Sequence, residues 1–176
     1  MIKYPGHSYS DGPIRIEFAN PDAQFRLGKY CSVASNLRVF LGGNHRTDWI
    51  STFAFPEYYG EGHAPGQPDT KGDVVVGNDV WIGDSVVIMS GVTIGHGAAI
   101  GAYSVVASDI PPYAIAAGNP CRVKKFRFTY GEIKDLIEIS WWDWPDDVVR
   151  NIYPILQYDN LQELFDFARE RNSNGK

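Results

Sequence analysis

From Val76 to Ile110 the apolar positions fall into sixes. The units open on Val76, Ile82, Ile88, Ile94, Ile100 and Val106, and glycine follows in second place as Gly77, Gly83, Gly95 and Gly101. The fifth place holds Val80, Val86, Val92, Ala98, Ser104 and Ile110, all small or apolar. A period of six fits neither a 3.6-residue helix nor simple alternation. It predicts very short strands joined by sharp turns, with one aliphatic side chain per strand facing a common axis. Glycine after that side chain is expected to supply a corner with positive φ. The same pattern opens at Leu27 and runs to Val39, while Ile14, Ile16, Phe18 and Phe25 are assigned to less regular coils before it.

Residues 40–75 break the period with Gly42-Gly43, Pro56, Pro65, Pro68 and many polar side chains. A solenoid can extrude such a segment without disturbing its coils, and long loops in compact domains commonly carry function. The repeats end at Pro111-Pro112 and helical signals begin at Thr129. Thr129-x-x-Glu132 reads as a capping box ahead of Ile133, Leu136 and Ile137. Pro145 suits a first helical turn with Val148, Val149 and Ile152 behind it. Asn160-x-x-Glu163 opens a last helix with Leu161, Leu164, Phe165 and Ala168 inward, and Asn172–Lys176 is expected to fray. The expected division is a repeat domain over 1–128, with its loop at about 40–75, and a helical appendage over 129–176.

Composition narrows the classes. Of the 176 residues, 44% are hydrophobic and 21% charged, which argues against disorder. No apolar run approaches the about 18 residues of a membrane helix, and the N-terminus lacks the apolar core of a secretory signal. Cys31 and Cys121 are too few for a disulfide framework and read as buried thiols in a reducing cytoplasm. The net charge of −5 sits in residues 129–176, with 10 acidic and 5 basic side chains against 11 of each before them. An acidic tail disfavours nucleic acid as a partner. The local exception is Arg122, Lys124, Lys125 and Arg127, a cluster suited to a phosphorylated small molecule.

The sixes resemble those of the hexapeptide-repeat acyltransferases. Gly42-Gly43-Asn44-His45-Arg46-Thr47-Asp48-Trp49-Ile50-Ser51-Thr52-Phe53 is similar to the loop signature of their xenobiotic branch, which includes streptogramin and type B chloramphenicol acetyltransferases. Trp141-Trp142-Asp143-Trp144 resembles that branch's C-terminal region, so the likeness runs from about Tyr9 to Ile155. The resemblance implies a mainly β fold: a left-handed parallel β-helix with an extruded loop and C-terminal helices. It implies acetyl transfer from acetyl-CoA to a hydroxyl or amine of a small acceptor, and a homotrimer with active sites at subunit interfaces.

Site residues follow from the same resemblance. The loop histidine, His45 here, is the family's general base, and an imidazole that titrates near neutral pH suits proton removal from an attacking hydroxyl. Trp81–Asp84 and Gly101–Ser104 are similar to stretches that line the pantetheine arm, which nominates Gly83 and Ala102. Ala107 and Ser108 stand where many relatives carry Thr-Lys, so one cation is missing. Arg122 and Lys125 match the CoA-phosphate cations, and Tyr9 and Trp49 are acceptor-side candidates. Asp48 either orients His45 or braces the loop. No metal is expected: His7, His45, His63 and His96 are too widely spaced for the three-ligand zinc sites of some hexapeptide proteins. Two alternatives stay open, a sugar or polysaccharide-precursor O- or N-acetyltransferase and a non-enzymatic β-helix scaffold.

Overall fold

The first and fifth places of each six point inward. Val33, Val39, Val76, Ile82, Ile88, Ile94, Ile100 and Val106 are buried, and so are Cys31, Leu37, Val80, Val86, Val92, Ala98, Ser104 and Ala114. Strands such as Trp81–Ile82 and Val87–Ile88 each bury one side chain, as expected, and the fifth-place residue just before each strand adds a second inward column. Burying an Ile or Val contributes about 1.5–3 kcal/mol, so these two columns dominate the stability of the repeat region.

The computed structural model describes residues 1–173. After β1 (Ile2–Lys3), the first coil is β2 (Tyr9–Ser10), β3 (Arg15–Glu17) and β4 (Phe25–Leu27). The second is β5 (Ser32–Val33), β6 (Arg38–Phe40) and, beyond a long loop containing α1 (Phe55–Tyr58), β7 (Val74–Val76). The third is β8 (Trp81–Ile82), β9 (Val87–Ile88) and β10 (Thr93–Ile94). Next come β11 (Ala99–Ile100), β12 (Val105–Val106) and a bridge from Ile110 to Ile94, which corrects Ile110 from a fifth to a first place after a shortened repeat, then β13 (Ala114–Ala117) and β14 (Arg122–Phe126). The strands fall in rotation into three sheets, ordered β1-β2-β5-β8-β11-β13-β14, β12-β9-β6-β3 and β10-β7-β4. Pairing is parallel throughout except at β1/β2 and β13/β14. Val75 lies beside Thr93, Trp81 beside Ala99 and Val87 beside Val105, each three repeats further along the chain.

The corners correct the turn reading. Positive φ falls at the fourth place, on Tyr30 (58°), Asn36 (63°), Asp79 (57°), Ser85 (55°), Gly91 (77°), Gly97 (67°), Tyr103 (59°) and Tyr113 (56°). The second-place glycines have ordinary φ and are required by space. A Cβ on Gly28 would sit 2.3 Å from Gly77 O, one on Gly77 2.7 Å from His96 N, and one on Gly95 2.4 Å from Pro112 N. Each would strike the backbone of the next coil.

Met1–Arg127 form one compact unit and the chain from Phe128 forms a second. In the second, α2 (Tyr130–Ile139) starts on a complete Thr129–Glu132 capping box. The helix α3 (Asp146–Leu156) begins just after Pro145, and α4 (Leu161–Ser173) just after Asn160. Leu136, Trp141, Trp142, Val149, Ile152, Leu164 and Ala168 are buried, so Trp141 and Trp142 are core while Trp144 is half-buried. Asn172 and Ser173 close α4; the rest of the segment expected to fray lies outside the described residues. Among the described residues no helix is long and apolar enough to cross a membrane.

Candidate active site

The loop between β6 and β7 is closed at its neck by backbone bonds. Asn44 N donates to Asp69 O at 3.1 Å and Asp69 N to Asn44 O at 2.8 Å. Thr70 Oγ1 donates to Leu41 O at 2.6 Å, and Asn44 Nδ2 to Ser90 Oγ at 3.1 Å, tying the neck to the corner after β9. His45 stands one residue beyond this clamp.

His45 Nδ1 lies 2.6 Å from the Thr52 carbonyl oxygen. A carbonyl has no proton, so this contact requires the hydrogen on Nδ1 and leaves the Nε2 lone pair available. Gln67 Nε2 sits 3.2 Å from the same oxygen and 3.0 Å from Nδ1. Asp48 does not reach His45. Its carboxylate is held below the usual range by hydrogen bonds from Arg46, whose guanidinium also lies over the Trp49 ring at 5.6 Å. Asp48 therefore braces the loop, and Trp49 is half of the same brace. His63 faces Glu57 at 3.4 Å in the exposed part of the loop. Phe53, Phe55, Tyr58 and Tyr59 pack together there, edge to face in three pairs at 4.8, 5.4 and 5.3 Å between centroids and stacked in the Phe55–Tyr59 pair at 6.4 Å.

The nominated cofactor residues lie on later coils. Gly83 is buried directly under exposed Ala102: its Cβ position is 2.6 Å from Ala102 N, and its own N–H is taken by Ile100 O at 2.9 Å. Ala107 and Ser108 are exposed just past β12. Arg122 and Lys125 stand exposed on β14, beside Ala117 and Ile115. Arg127, from the same basic cluster, turns back instead, donating to Gly97 O at 2.7 Å and facing Asp79 at 3.6 Å. Asp79 is raised above the usual carboxylate range by burial, against the lowering effect of Arg127. Tyr9, on β2, is separated from β14 by four intervening strands, about 24 Å at about 4.8 Å per strand. One chain thus does not bring Tyr9 to the basic strand. Among the described residues no three His, Cys, Asp or Glu side chains gather as a metal site requires.

Residues 73–108 match the bacterial transferase hexapeptide family (six repeats). Over 179 residues the chain is 37% identical to a chloramphenicol acetyltransferase of Agrobacterium fabrum, an alignment covering 94% of this chain and 82% of that one. The chain belongs to the hexapeptide-repeat acetyltransferases, in their xenobiotic branch. This acetyltransferase is also 37% identical over 143 residues to a virginiamycin A acetyltransferase of Staphylococcus aureus, covering 78% of this chain and 65% of that one. Its fold is similar to that of an N-acyltransferase, AntD of Bacillus cereus, solved with dTDP and coenzyme A. That likeness has a TM-score of 0.53 at 20% identity, over 76% of this chain and 65% of the other. In this acetyltransferase the Thr52 carbonyl and Gln67 are what sequence reading missed. Neither carries a spacing signal: Gln67 lies 22 residues from His45, inside the proline-rich part of the loop.

Proposed function

We propose that this enzyme transfers an acetyl group from acetyl-CoA to a hydroxyl of a small acceptor of the chloramphenicol or streptogramin type, with His45 as general base. The observation that carries the reading is the 2.6 Å contact between His45 Nδ1 and the Thr52 carbonyl. It points the basic nitrogen, Nε2, away from the peptide that holds the ring. His45 Nε2 takes the proton of the acceptor hydroxyl as its oxygen attacks, and the imidazolium then returns that proton to the departing sulfur. Proton transfer of this kind contributes about 10²–10⁴ in rate. Bound acetyl-CoA supplies the thioester carbon.

The chain offers residues that fit it. Arg122 and Lys125 are exposed on one strand for the phosphates, and exposed Ala102, above buried Gly83, sets only a methyl group against a pantetheine arm. Ala107 and Ser108, also exposed, add no cation. The left hand of the helix, the homotrimer and a cytoplasmic location belong to the same reading. The chemistry is assigned to residues 1–128, with 129–176 as an appendage. Exposed Trp49, Ile50 and Phe53 on the loop support association of copies, since apolar clusters of this kind are uncommon on isolated chains.

The test is thiol release from acetyl-CoA by wild-type enzyme and His45→Ala, against chloramphenicol, streptogramin A, simple sugars, amino sugars and nucleotide sugars. The expected result is turnover on an antibiotic, abolished in His45→Ala while acetyl-CoA still binds by calorimetry. Turnover only on sugars moves the acceptor class, and full activity in His45→Ala removes the base assignment. A monomer by light scattering removes the trimer.

A further inference from the structure

Gln67 is 6% exposed, although most of the loop from Phe53 to Gly66 lies open to water. A long polar side chain buried in an otherwise open loop calls for a local reason. Its backbone is fixed on both sides: Gln67 N donates to Ala64 O at 3.0 Å, and the Asn44–Asp69 bridge follows two residues on. Its side chain closes a triangle with His45 Nδ1 (3.0 Å) and the Thr52 carbonyl (3.2 Å), whose third side is the 2.6 Å contact from Nδ1 to that carbonyl.

No assignment of protons pairs all three sides: the 2.6 Å contact to the Thr52 carbonyl fixes the hydrogen on Nδ1, and the 3.0 Å side from Gln67 Nε2 to Nδ1 then sets two donors side by side. The Thr52 oxygen accepts from Nδ1–H and from the Gln67 amide N–H, using both lone pairs. Turning the amide over would set Gln67 Oε1 against the Thr52 oxygen, two acceptors with no proton between them. The orientation found leaves Oε1 buried with no hydrogen-bond partner.

We infer that Gln67 is a positioning residue, which fixes the Thr52 carbonyl and so holds His45 in the tautomer with Nδ1 protonated and Nε2 free. The inference rests on the reading of His45 as the base. Without the amide, the Thr52 carbonyl loses its second donor, and the peptide that orients the ring is free to turn.

Three variants and one spectrum test it. Gln67→Met keeps the length and removes the donor. Its expected effect is a fall in kcat of about tenfold, the order of one lost hydrogen bond, with the KM for acetyl-CoA within about twofold. Gln67→Glu puts an anionic acceptor beside Nδ1–H, which favours the imidazolium. The acid limb of its kcat/KM profile is expected to move up by about one pH unit. A purely structural role would lower the melting temperature or the active fraction and leave that limb in place. His45→Ala separates the two claims. If it stays active, the base reading falls and this inference with it. If it is dead while both Gln67 variants keep the wild-type kcat and acid limb, this inference alone is overturned. The ¹⁵N spectrum of the imidazole in the wild-type enzyme needs no variant to fold. Protonated Nδ1 is expected, and protonated Nε2 in the neutral ring would refute the assignment.

Discussion

Gly77→Ala adds one methyl group to the column of second-place glycines. Its Cβ would sit 2.7 Å from His96 N, 2.9 Å from His96 Nδ1 and 3.1 Å from Gly95 C. Those distances are well short of the roughly 3.5 Å at which such atoms pack best. Two of the three neighbours are backbone, held in place by the Gly77 N to Ile94 O bond at 2.8 Å, so relief requires opening the coil spacing. Overpacking costs about 1–3 kcal/mol, and a contact against laddered backbone belongs at the upper end. For a chain of this size about 3 kcal/mol lowers Tm by about 6–12 °C. Tyr103→Gly is the matching control, at an exposed fourth-place corner with a φ of 59°. Relief of left-handed strain, about 1–2 kcal/mol, is offset by the extra freedom of an unfolded glycine, about 0.5–1 kcal/mol. Its Tm should stay within about 4 °C of wild type. Differential scanning calorimetry on the three proteins reads both effects. A Gly77→Ala transition within about 2 °C of wild type, or a Tyr103→Gly loss as large as that of Gly77→Ala, would refute the division between second-place space and fourth-place φ.

Three further outcomes are expected. Arg122→Ser combined with Lys125→Ser raises the KM for acetyl-CoA about tenfold or more while kcat holds within about twofold, and the gap narrows with added salt; an unmoved KM removes both cations from phosphate binding. Asp48→Asn leaves the acid limb of the kcat/KM profile where it was, because the carboxylate pairs with Arg46 and not with His45, and instead speeds proteolytic cleavage of the loop. Asp79 carries a raised pKa, caused first by burial and opposed by Arg127, so the folded chain binds its proton more tightly than the unfolded chain. Its contribution to stability therefore falls as pH rises from about 4 through the folded value. The Tm of Asp79→Asn relative to wild type should climb across that window, and a constant difference would contradict the burial argument.

The inward columns were legible because a side chain facing the axis at fixed intervals leaves a period in the sequence, and Ile82, Ile88, Ile94 and Ile100 sit where that period put them. The reason for the glycines was not legible. A glycine needed for space and one needed for positive φ are the same letter, and only the 2.3–2.7 Å approaches of neighbouring coils tell them apart. The left-handed corners were hidden for the complementary reason, since Tyr30, Asp79, Ser85 and Tyr103 are residues that no turn rule marks together. His45 was readable from its surrounding motif. Gln67 was not, because the triangle it completes joins residues 45, 52 and 67 through a backbone carbonyl, an atom every residue has.

The two antiparallel strands bear on a hazard that every stack of like coils carries. A coil whose edge matches the edge of the next is a template for its own continuation, and identical molecules set end to end would grow into a fibre. In the seven-strand sheet both outermost strands, β1 and β14, run against their neighbours. A second molecule arriving in coil register would meet a reversed strand, whose hydrogen-bonding groups are spaced for a different ladder. At β14 it would also meet Arg122, Lys124 and Lys125. On this sheet the chain that makes the coil also stops its polymerisation, and it does so by reversing direction once at each end.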